Sequence, residues 1–408
     1  MNDEMQRRDR GGRASTPSAR HGRQRRSAAW ASVLGLLAGV LVVVLVSGGS
    51  VAAIAAWRLT SNLAANSIAI GADTQAPPPT IAEYEGGFNI LIVGSDTREG
   101  QHGIGGDDDG VLNDVNMLLH VAQDQKSATL VSFPRDLWVS IPECSNGGPG
   151  SHVKMNTALY YGGLDCVVRT VEGMTGLDIQ FAGMITFVGV IEMTNAVGGV
   201  DVCIDGDIED PYSGLFLGPG HHTLAGFDAL AFLRSRKGVG DGSDLSRISS
   251  QQVYLSSLVR TLKSDGTLTD IGKLYALATA ATQNISLSQN FARLDTLVSI
   301  AQVLKNIPLE NIVMVQYPGT TAGGTGGVTP LQGQADALFS AIKSDQPIRL
   351  DDSALDGYGS VPDPNAPTAA PSDSATDAPA EDPGEGVVVS GVQGQSAAQY
   401  TCSQSYQF

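Results

Sequence analysis

From residue 28 to residue 57 the chain carries no charged side chain. The stretch is built mainly of Leu, Val, Ala and Gly, and it is longer than the ~20 residues a helix needs to cross a bilayer. Such a stretch restricts the chain to few solutions, because the remainder must fold on one side of whatever the stretch enters. The residues before it hold eight arginines (7, 8, 10, 13, 20, 23, 25 and 26) against Asp3, Glu4 and Asp9. That bias predicts a cytoplasmic N-terminus, with everything after Arg58 outside. A cleaved signal peptide is the rival reading. Its apolar region typically runs ~7–15 residues, so the length here favours an uncleaved single-pass anchor in the cell membrane.

Around the anchor the composition changes in blocks. Residues 1–27 read as a basic, disordered cytoplasmic tail, and residues 58–84, ending in Pro77-Pro78-Pro79, as an extracytoplasmic linker. Residues 85–347 carry the periodic apolar pattern of a folded domain. Residues 348–387 are rich in Pro, Ala, Asp and Ser and read as an acidic disordered linker. Residues 388–408 read as a short tail that docks back on the body, through a disulfide between Cys402 and Cys203, or as a frayed end with a free thiol. The net charge is −17 despite the arginine-rich head. An acidic body excludes a general nucleic-acid binder, so any anion site must be a local cationic pocket. Cys144, Cys166, Cys203 and Cys402 all follow the apolar stretch. Their even count suits two disulfides in an oxidising compartment, with four buried thiols as the alternative. No cysteine or histidine spacing matches a zinc site.

Within the domain, residues 88–94, 116–122, 128–133, 182–187, 200–204 and 312–316 read as strands, with Asp124-Gln125-Lys126 as a hairpin turn. Helices are expected over 154–175, broken at Gly162-Gly163, and over 188–196, 227–233, 244–262, 271–282, 290–306 and 332–342. The mixture predicts an α/β (α+β) fold, with a central mixed β-sheet flanked by helices.

The chemistry concentrates in a few places. Residues 233–254 hold Arg234, Arg236 and Arg247 around a glycine-broken loop. A helix starting near Ser243 puts Asp244, Arg247 and Gln251 on one face. An extended Arg234-Ser235-Arg236 aims both guanidiniums the same way. Converging arginines suit a phosphate or pyrophosphate; a solvated charged loop is the bland alternative. Asp96 and Arg98 follow the first strand and Asp114 enters the next. Two carboxylates plus phosphate oxygens and water make the usual magnesium shell, while turn aspartates explain the same residues without a metal. Arg135 follows Pro134 at a strand exit and either points into the same site or pairs with Asp136. Lys154 is expected at a helix start, where backbone N–H groups favour an anion. There is no Gly-x-Ser-x-Gly elbow and no Walker loop.

Taken together, NILIVGSDTR, NDVNMLLHV, TLVSFPRDLWVSIP, KMNTALYYGG, VGGVDVCI, HTLAGFDALAFLRSRK and DLSRISSQQ resemble the LytR-CpsA-Psr family of cell-envelope phosphotransferases, over about residues 88–262. The resemblance implies an enzyme that moves a glycan phosphate from an undecaprenyl-pyrophosphate carrier to peptidoglycan, with an apolar cavity for the lipid. It implies Mg2+, or Mn2+ in its place, on Asp96 and Asp114. It implies pyrophosphate contacts from Arg98, Arg135, Arg234, Arg236 and Arg247, with Asp244 and Gln251 as polar residues of the closing motif; Lys154 at its helix start is expected to add a contact, and Arg135, Arg236, Arg247 and Asp244 are the expected catalytic residues. Helices 154–175, 188–196 and 244–262 are the expected cavity walls. Cys144 and Cys166 look like a disulfide pair of actinobacterial-type members. The chain departs from the family at Leu112-Asn113-Asp114-Val115, where Arg-Ser-Asp-Thr is common, and at Ser249-Ser250, where an arginine often stands. Alternative readings are a polyprenyl-pyrophosphate pyrophosphatase and a non-catalytic protein that binds carrier lipid or wall glycan.

Overall fold

The structure, a computed structural model, describes residues 29–71, 86–97, 111–264, 270–321, 326–355, 359–367 and 386–407. The basic tail, Arg98, residues 103–110 and most of the acidic linker lie outside the described residues. The chain divides into two units, Met1–Ala56 and Trp57–Phe408.

The apolar stretch forms one helix, Ala29–Ala65, long and apolar enough to cross a membrane. It runs eight residues past its expected end at 57. Leu59 and Leu63, in its last turns, are buried in the second unit. A strand at Ser67–Ile68 then pairs with Ile285–Ser288, so the folded body begins before residue 85.

That body is organised by an eight-stranded sheet. Its strands lie in the order Ser67–Ile68, Ile285–Ser288, Phe181–Ile185, Phe88–Ser95, Asn113–Val121, Ala128–Phe133, Ile312–Gln316 and Gly394–Ser396. Phe88–Ser95 pairs antiparallel with Asn113–Val121 and parallel with Phe181–Ile185, which makes the sheet mixed. The period-two pattern of these strands feeds two cores. Leu91, Val93, Leu118, Val131, Phe133, Val313 and Val315 face the helices Ala158–Thr175 and Gln332–Lys343. Phe88, Ile90, Met117, Leu130 and Met314 face the helices Asp244–Lys263 and Leu294–Asn306. Helix 158–175 therefore covers the opposite face from helix 244–263, and the two do not wall one cavity.

The helix expected from Lys154 begins only at Ala158. Lys154 is extended (φ −74°, ψ 137°) and ends the strand Gly150–Lys154, which pairs with Trp138–Ile141. Lys154 is the N-cap of a short 3-10 helix, Met155–Thr157, that leads into helix 158–175, so it does stand at a helical start, one turn before the α-helix. The break at Gly162-Gly163 is real, with Gly163 at φ 66°. Helix Phe187–Val197 starts on a Thr186 cap and stops where Gly198 and Gly199 take φ of 91° and 93°. Only left-handed backbone continues the chain there, and glycine adopts it without a Cβ clash.

The C-terminal residues are structural. Ser360–Pro362 and Thr401–Ser403 join Val200–Ile204 and Gly220–Leu224 in a four-stranded sheet. Disulfides link Cys203 to Cys402 and Cys144 to Cys166. The reading of 348–387 as an unstructured linker fails over its described part. Pairing to the tail through Ser360–Pro362, not core size, orders it.

Candidate diphosphate site

The chemistry-bearing residues meet at one edge of the main sheet. There the strand Phe88–Ser95 ends, its neighbour begins at Asn113, and Ala128–Phe133 runs into Pro134. Because Ser95 lies opposite Asn113, Asp96 and Asp114 emerge at the same edge. The two flanking segments are joined by Asp96 N–H donating to the Leu112 carbonyl at 3.1 Å and Leu112 N–H donating to Asp96 Oδ1 at 2.7 Å. Asn113, fully buried, braces this edge: its Nδ2 donates to Asn116 Oδ1 and to the Met155 carbonyl, and its Oδ1 accepts from Leu159 N–H.

Three arginines close over the edge. Arg135 Nη1 lies 2.8 Å from both oxygens of Asp114. Arg247 is buried, at 4 % exposure, between the Asp114 carbonyl (2.8 Å from Nη2) and the Asp244 carboxylate (2.7 Å). Asp244 Oδ2 also accepts the Arg135 N–H at 2.8 Å. The Arg247 contact is an ion pair, since Asp244 Oδ1 has no well-aligned hydrogen-bond donor. Arg236 Nη2 lies 3.4 Å from Asp136 Oδ2, and Lys154 Nζ lies 3.0 Å from Asp136 Oδ1. The Nε–H groups of Arg135, Arg236 and Arg247 are buried with no hydrogen-bond partner among the described residues.

Electrostatics follow from this crowding. Burial lowers the Arg247 pKa, with Arg135 and Arg236 adding to the effect against Asp244 and Asp114. For Arg135 burial acts downward, but Asp114 and Asp244 outweigh it and the pKa rises. Asp136 is pushed up by burial and pulled further down by Lys154, Arg135 and Arg236, ending below its ordinary value. Like charges gathered in a low dielectric are costly unless anions share the space.

Not every expected residue joins this group. Arg234 ends the helix Gly226–Arg234, and its guanidinium lies over the Phe187 ring at 4.4 Å. Arg234 and Arg236 therefore reach different partners, because the chain leaves the helix between them. Gln251 shares a helical face with Asp244 and Arg247, but its Nε2 donates to the Leu233 carbonyl at 2.8 Å, tying helix 244–263 to the end of helix 226–234.

Asp210 was not singled out from the sequence, yet it fixes the arginine loop. Its buried Oδ2 accepts from Ser235 Oγ and from the backbone N–H groups of Arg236 and Lys237, at 2.8–3.0 Å. Burial alone would raise its pKa; these donors outweigh it, and the pKa is lowered. The only sequence cue is an aspartate before a proline, which any turn shares.

Next to the cluster lies an apolar trough. Ile92 sits in the interior of the sheet, paired with Met117 on one side and Gly183 on the other, yet it is 38 % exposed. No described residue packs fully over it. Gly94 and the half-buried Val115 and Ile185 continue the depression toward Asp96 and Asp114.

A LytR_cpsA_psr family profile matches residues 55–345. The chain belongs to this family. Among LytR_cpsA_psr relatives, the cell wall biosynthesis protein LcpA of Corynebacterium glutamicum is 30 % identical over 68 % of this chain and 60 % of its own length. LcpB of the same organism is 30 % identical over 66 % of this chain and 64 % of its own. The chain thus spans under two thirds of these two relatives. TagT of Bacillus subtilis, described as a polyisoprenyl-teichoic acid–peptidoglycan teichoic acid transferase, is 29 % identical over 75 % of this chain and 91 % of its own. Two solved LytR_cpsA_psr-like folds agree with the architecture. They are protein gbs0355 of Streptococcus agalactiae (TM-score 0.55, 22 % identity, 65 % of this chain and 89 % of that one) and a LytR-Csp2A-Psr enzyme of Actinomyces oris (0.52, 22 %, 68 % and 94 %).

Proposed function

We propose that this protein is a membrane-anchored, extracytoplasmic phosphotransferase that moves a glycan phosphate from undecaprenyl pyrophosphate to peptidoglycan. The observation that carries the reading is the group of half-buried Arg135 and Arg236 and buried Arg247, whose Nε atoms are buried and make no hydrogen bond among the described residues, beside an apolar trough floored by Ile92. A lipid-linked diphosphate supplies further acceptors for the Nε–H groups that the carboxylates leave without a hydrogen bond, and an apolar chain for the trough. The helix Ala29–Ala65 anchors the protein where such a lipid resides, and the arginine-rich head orients the domain outward.

In the reaction, an acceptor hydroxyl of peptidoglycan attacks the glycan-bearing phosphorus. The bond from that phosphorus to the bridging oxygen breaks, and polyprenyl monophosphate leaves with the electron pair. The hydroxyl proton passes to a base at the site. Charge grows on the bridging and equatorial oxygens, where the guanidiniums bind it more strongly than in the ground state. Asp244 serves as a positioning residue, because its oxygens engage Arg247 and the Arg135 N–H. Asp96 and Asp114 are hard oxygen donors at one sheet edge, which fits a divalent cation such as Mg2+ or Mn2+ completed by diphosphate oxygens and water. When bound, that cation neutralises diphosphate charge. Lys154 adds positive charge beside Asp136, Arg98 is a further candidate diphosphate contact from its place in the sequence, and Arg234 acts through its packing on Phe187.

The test uses full-length protein with lipid-linked glycan labelled in the sugar, peptidoglycan and Mg2+. Label appearing in peptidoglycan, and lost in Arg236→Ala, supports the reading. Label released to water without transfer makes the protein a pyrophosphatase, and no turnover in any form makes it a binding protein.

A further inference from the structure

We propose that a cleft next to the arginine cluster, on the sheet face opposite the Ile92 trough, binds a polyhydroxylated saccharide. The proposal deepens the glycan-transfer reading and rests on it. The cleft has a volume of about 650 Å³ and is lined by Trp138, Ser140, His152, Arg169, Tyr317 and Gln332, among others. Tyr317, Val139 and Ile141 place it on the core face covered by helix 158–175.

Its most telling residue is His152. In the hairpin formed by Trp138–Ile141 and Gly150–Lys154, Val139 pairs with Val153 and Ser140 pairs with Ser151. His152 is therefore an extra, bulged residue. It takes a left-handed backbone (φ 68°), which a non-glycine residue adopts against its preference. The bulge lays the exposed imidazole flat on the Trp138 indole, with ring centroids 5.0 Å apart and planes 9° apart. Bulges and strained residues of this kind re-aim side chains at binding sites.

The lining chemistry suits a sugar. The exposed His152 imidazole, stacked on Trp138, offers a flat face to the C–H side of a pyranose, while Ser140, Gln332 and Arg169 offer hydrogen bonds to its hydroxyls. Among the described lining residues Arg169 is the sole Lys, Arg, Asp or Glu side chain, so the cleft favours a neutral or weakly acidic glycan over a polyphosphate.

Its position suits the reaction as well. Trp138 pairs in the hairpin with Lys154, whose Nζ lies 5.9 Å from the indole centre and 3.0 Å from Asp136. Asp136 in turn meets Arg236. A saccharide in the cleft therefore ends beside the groups proposed to hold the diphosphate, with the lipid across the sheet edge.

The test titrates full-length protein in detergent micelles with peptide-free β-1,4 oligomers of N-acetylglucosamine and with peptidoglycan glycan strands. His152→Ala and Arg169→Ala both change exposed side chains. Each is expected to weaken saccharide binding at least fivefold and to leave inorganic pyrophosphate binding unchanged. Absence of saccharide binding by the wild type at millimolar concentration, or wild-type affinity in both variants, overturns the proposal. In the labelled transfer assay, a raised KM for peptidoglycan alone assigns the cleft to the acceptor, and a raised KM for lipid-linked glycan alone assigns it to the donor sugar. Both KM values unchanged overturns it. A wild type that binds saccharide in this variant-sensitive way but transfers no label keeps the cleft and refutes the transfer reading.

Discussion

Arg247→Met separates what the arginine cluster does for the fold from what it does for the substrate. The side chain is of similar length, so the change removes the charge and its polar bonds to Asp114 and Asp244 with little change in volume. It leaves Asp244, only 2 % exposed, facing the Arg135 N–H alone. Breaking a buried pair from one side costs about 3–5 kcal/mol, most of it from the charge left behind. Adding Asp244→Asn neutralises that charge and keeps an oxygen for the Arg135 N–H, so the double variant should return to within about 1–2 kcal/mol of wild type. Function should not return. Losing one preorganised donor to a developing oxyanion costs roughly 10²–10³ in kcat, and neither variant restores it. Urea melts measure the stabilities and labelled transfer measures the rate. The reasoning fails if the single variant costs under about 1 kcal/mol, or if the double variant regains both stability and turnover.

Other expectations follow from neighbouring residues. Ile92→Thr keeps β-branching at a 38 %-exposed position, so it should cost under about 1 kcal/mol while raising KM for long-chain donors and not for short-chain ones. Asp210→Asn loses its charge-assisted hold on the Arg236 and Lys237 backbone, at about 1–3 kcal/mol, and should lower kcat by loosening the loop that carries Arg236. Loop entropy gives the Cys203–Cys402 bridge, spanning 199 residues, about 5 kcal/mol and the Cys144–Cys166 bridge, spanning 22, about 3 kcal/mol; Cys203→Ser/Cys402→Ser should lower Tm more than Cys144→Ser/Cys166→Ser. The Asp136 pKa is depressed, so its contribution is complete above its ordinary 3.8 and fades as pH falls through the lower folded value. The His221 pKa is raised by its hydrogen bond to Asp201, against burial and with help from Asp363, so its contribution is complete below 6.5 and fades as pH rises through the folded value. Stability measured across pH in His221→Gln should lose that alkaline-side decline.

Much of the fold could be read from periodicity. Strands 128–133 and 312–316 match to the residue because each is a short apolar run closed by turn residues. Other strands leave no such mark. Gly394–Ser396 and Thr401–Ser403 are three-residue strands with no period to detect, and only pairing across long stretches of chain makes them strands. The cluster of Asp114, Arg135, Asp244 and Arg247 was legible as a set of strand-end and helix-start charges, but its pairings were not. Nothing local says that Arg135 gives its hydrogen bonds to Asp114 while keeping only a looser ion pair, at 3.8 Å, with its neighbour Asp136. Arg234 and Arg236 share a motif but separate in space, because a helix ends between them. Asp210 and the bulged His152 gain their places from backbone geometry that no spacing encodes.

The central claim is that Arg135, Arg236 and Arg247 hold a diphosphate at the sheet edge. A crystal structure of the full-length protein soaked with a polyprenyl pyrophosphate and Mg2+ tests it most directly. The account predicts phosphate oxygens within hydrogen-bond distance of all three guanidiniums, and the lipid chain running over Ile92. A diphosphate seated away from these arginines, or a chain directed away from the trough, contradicts it.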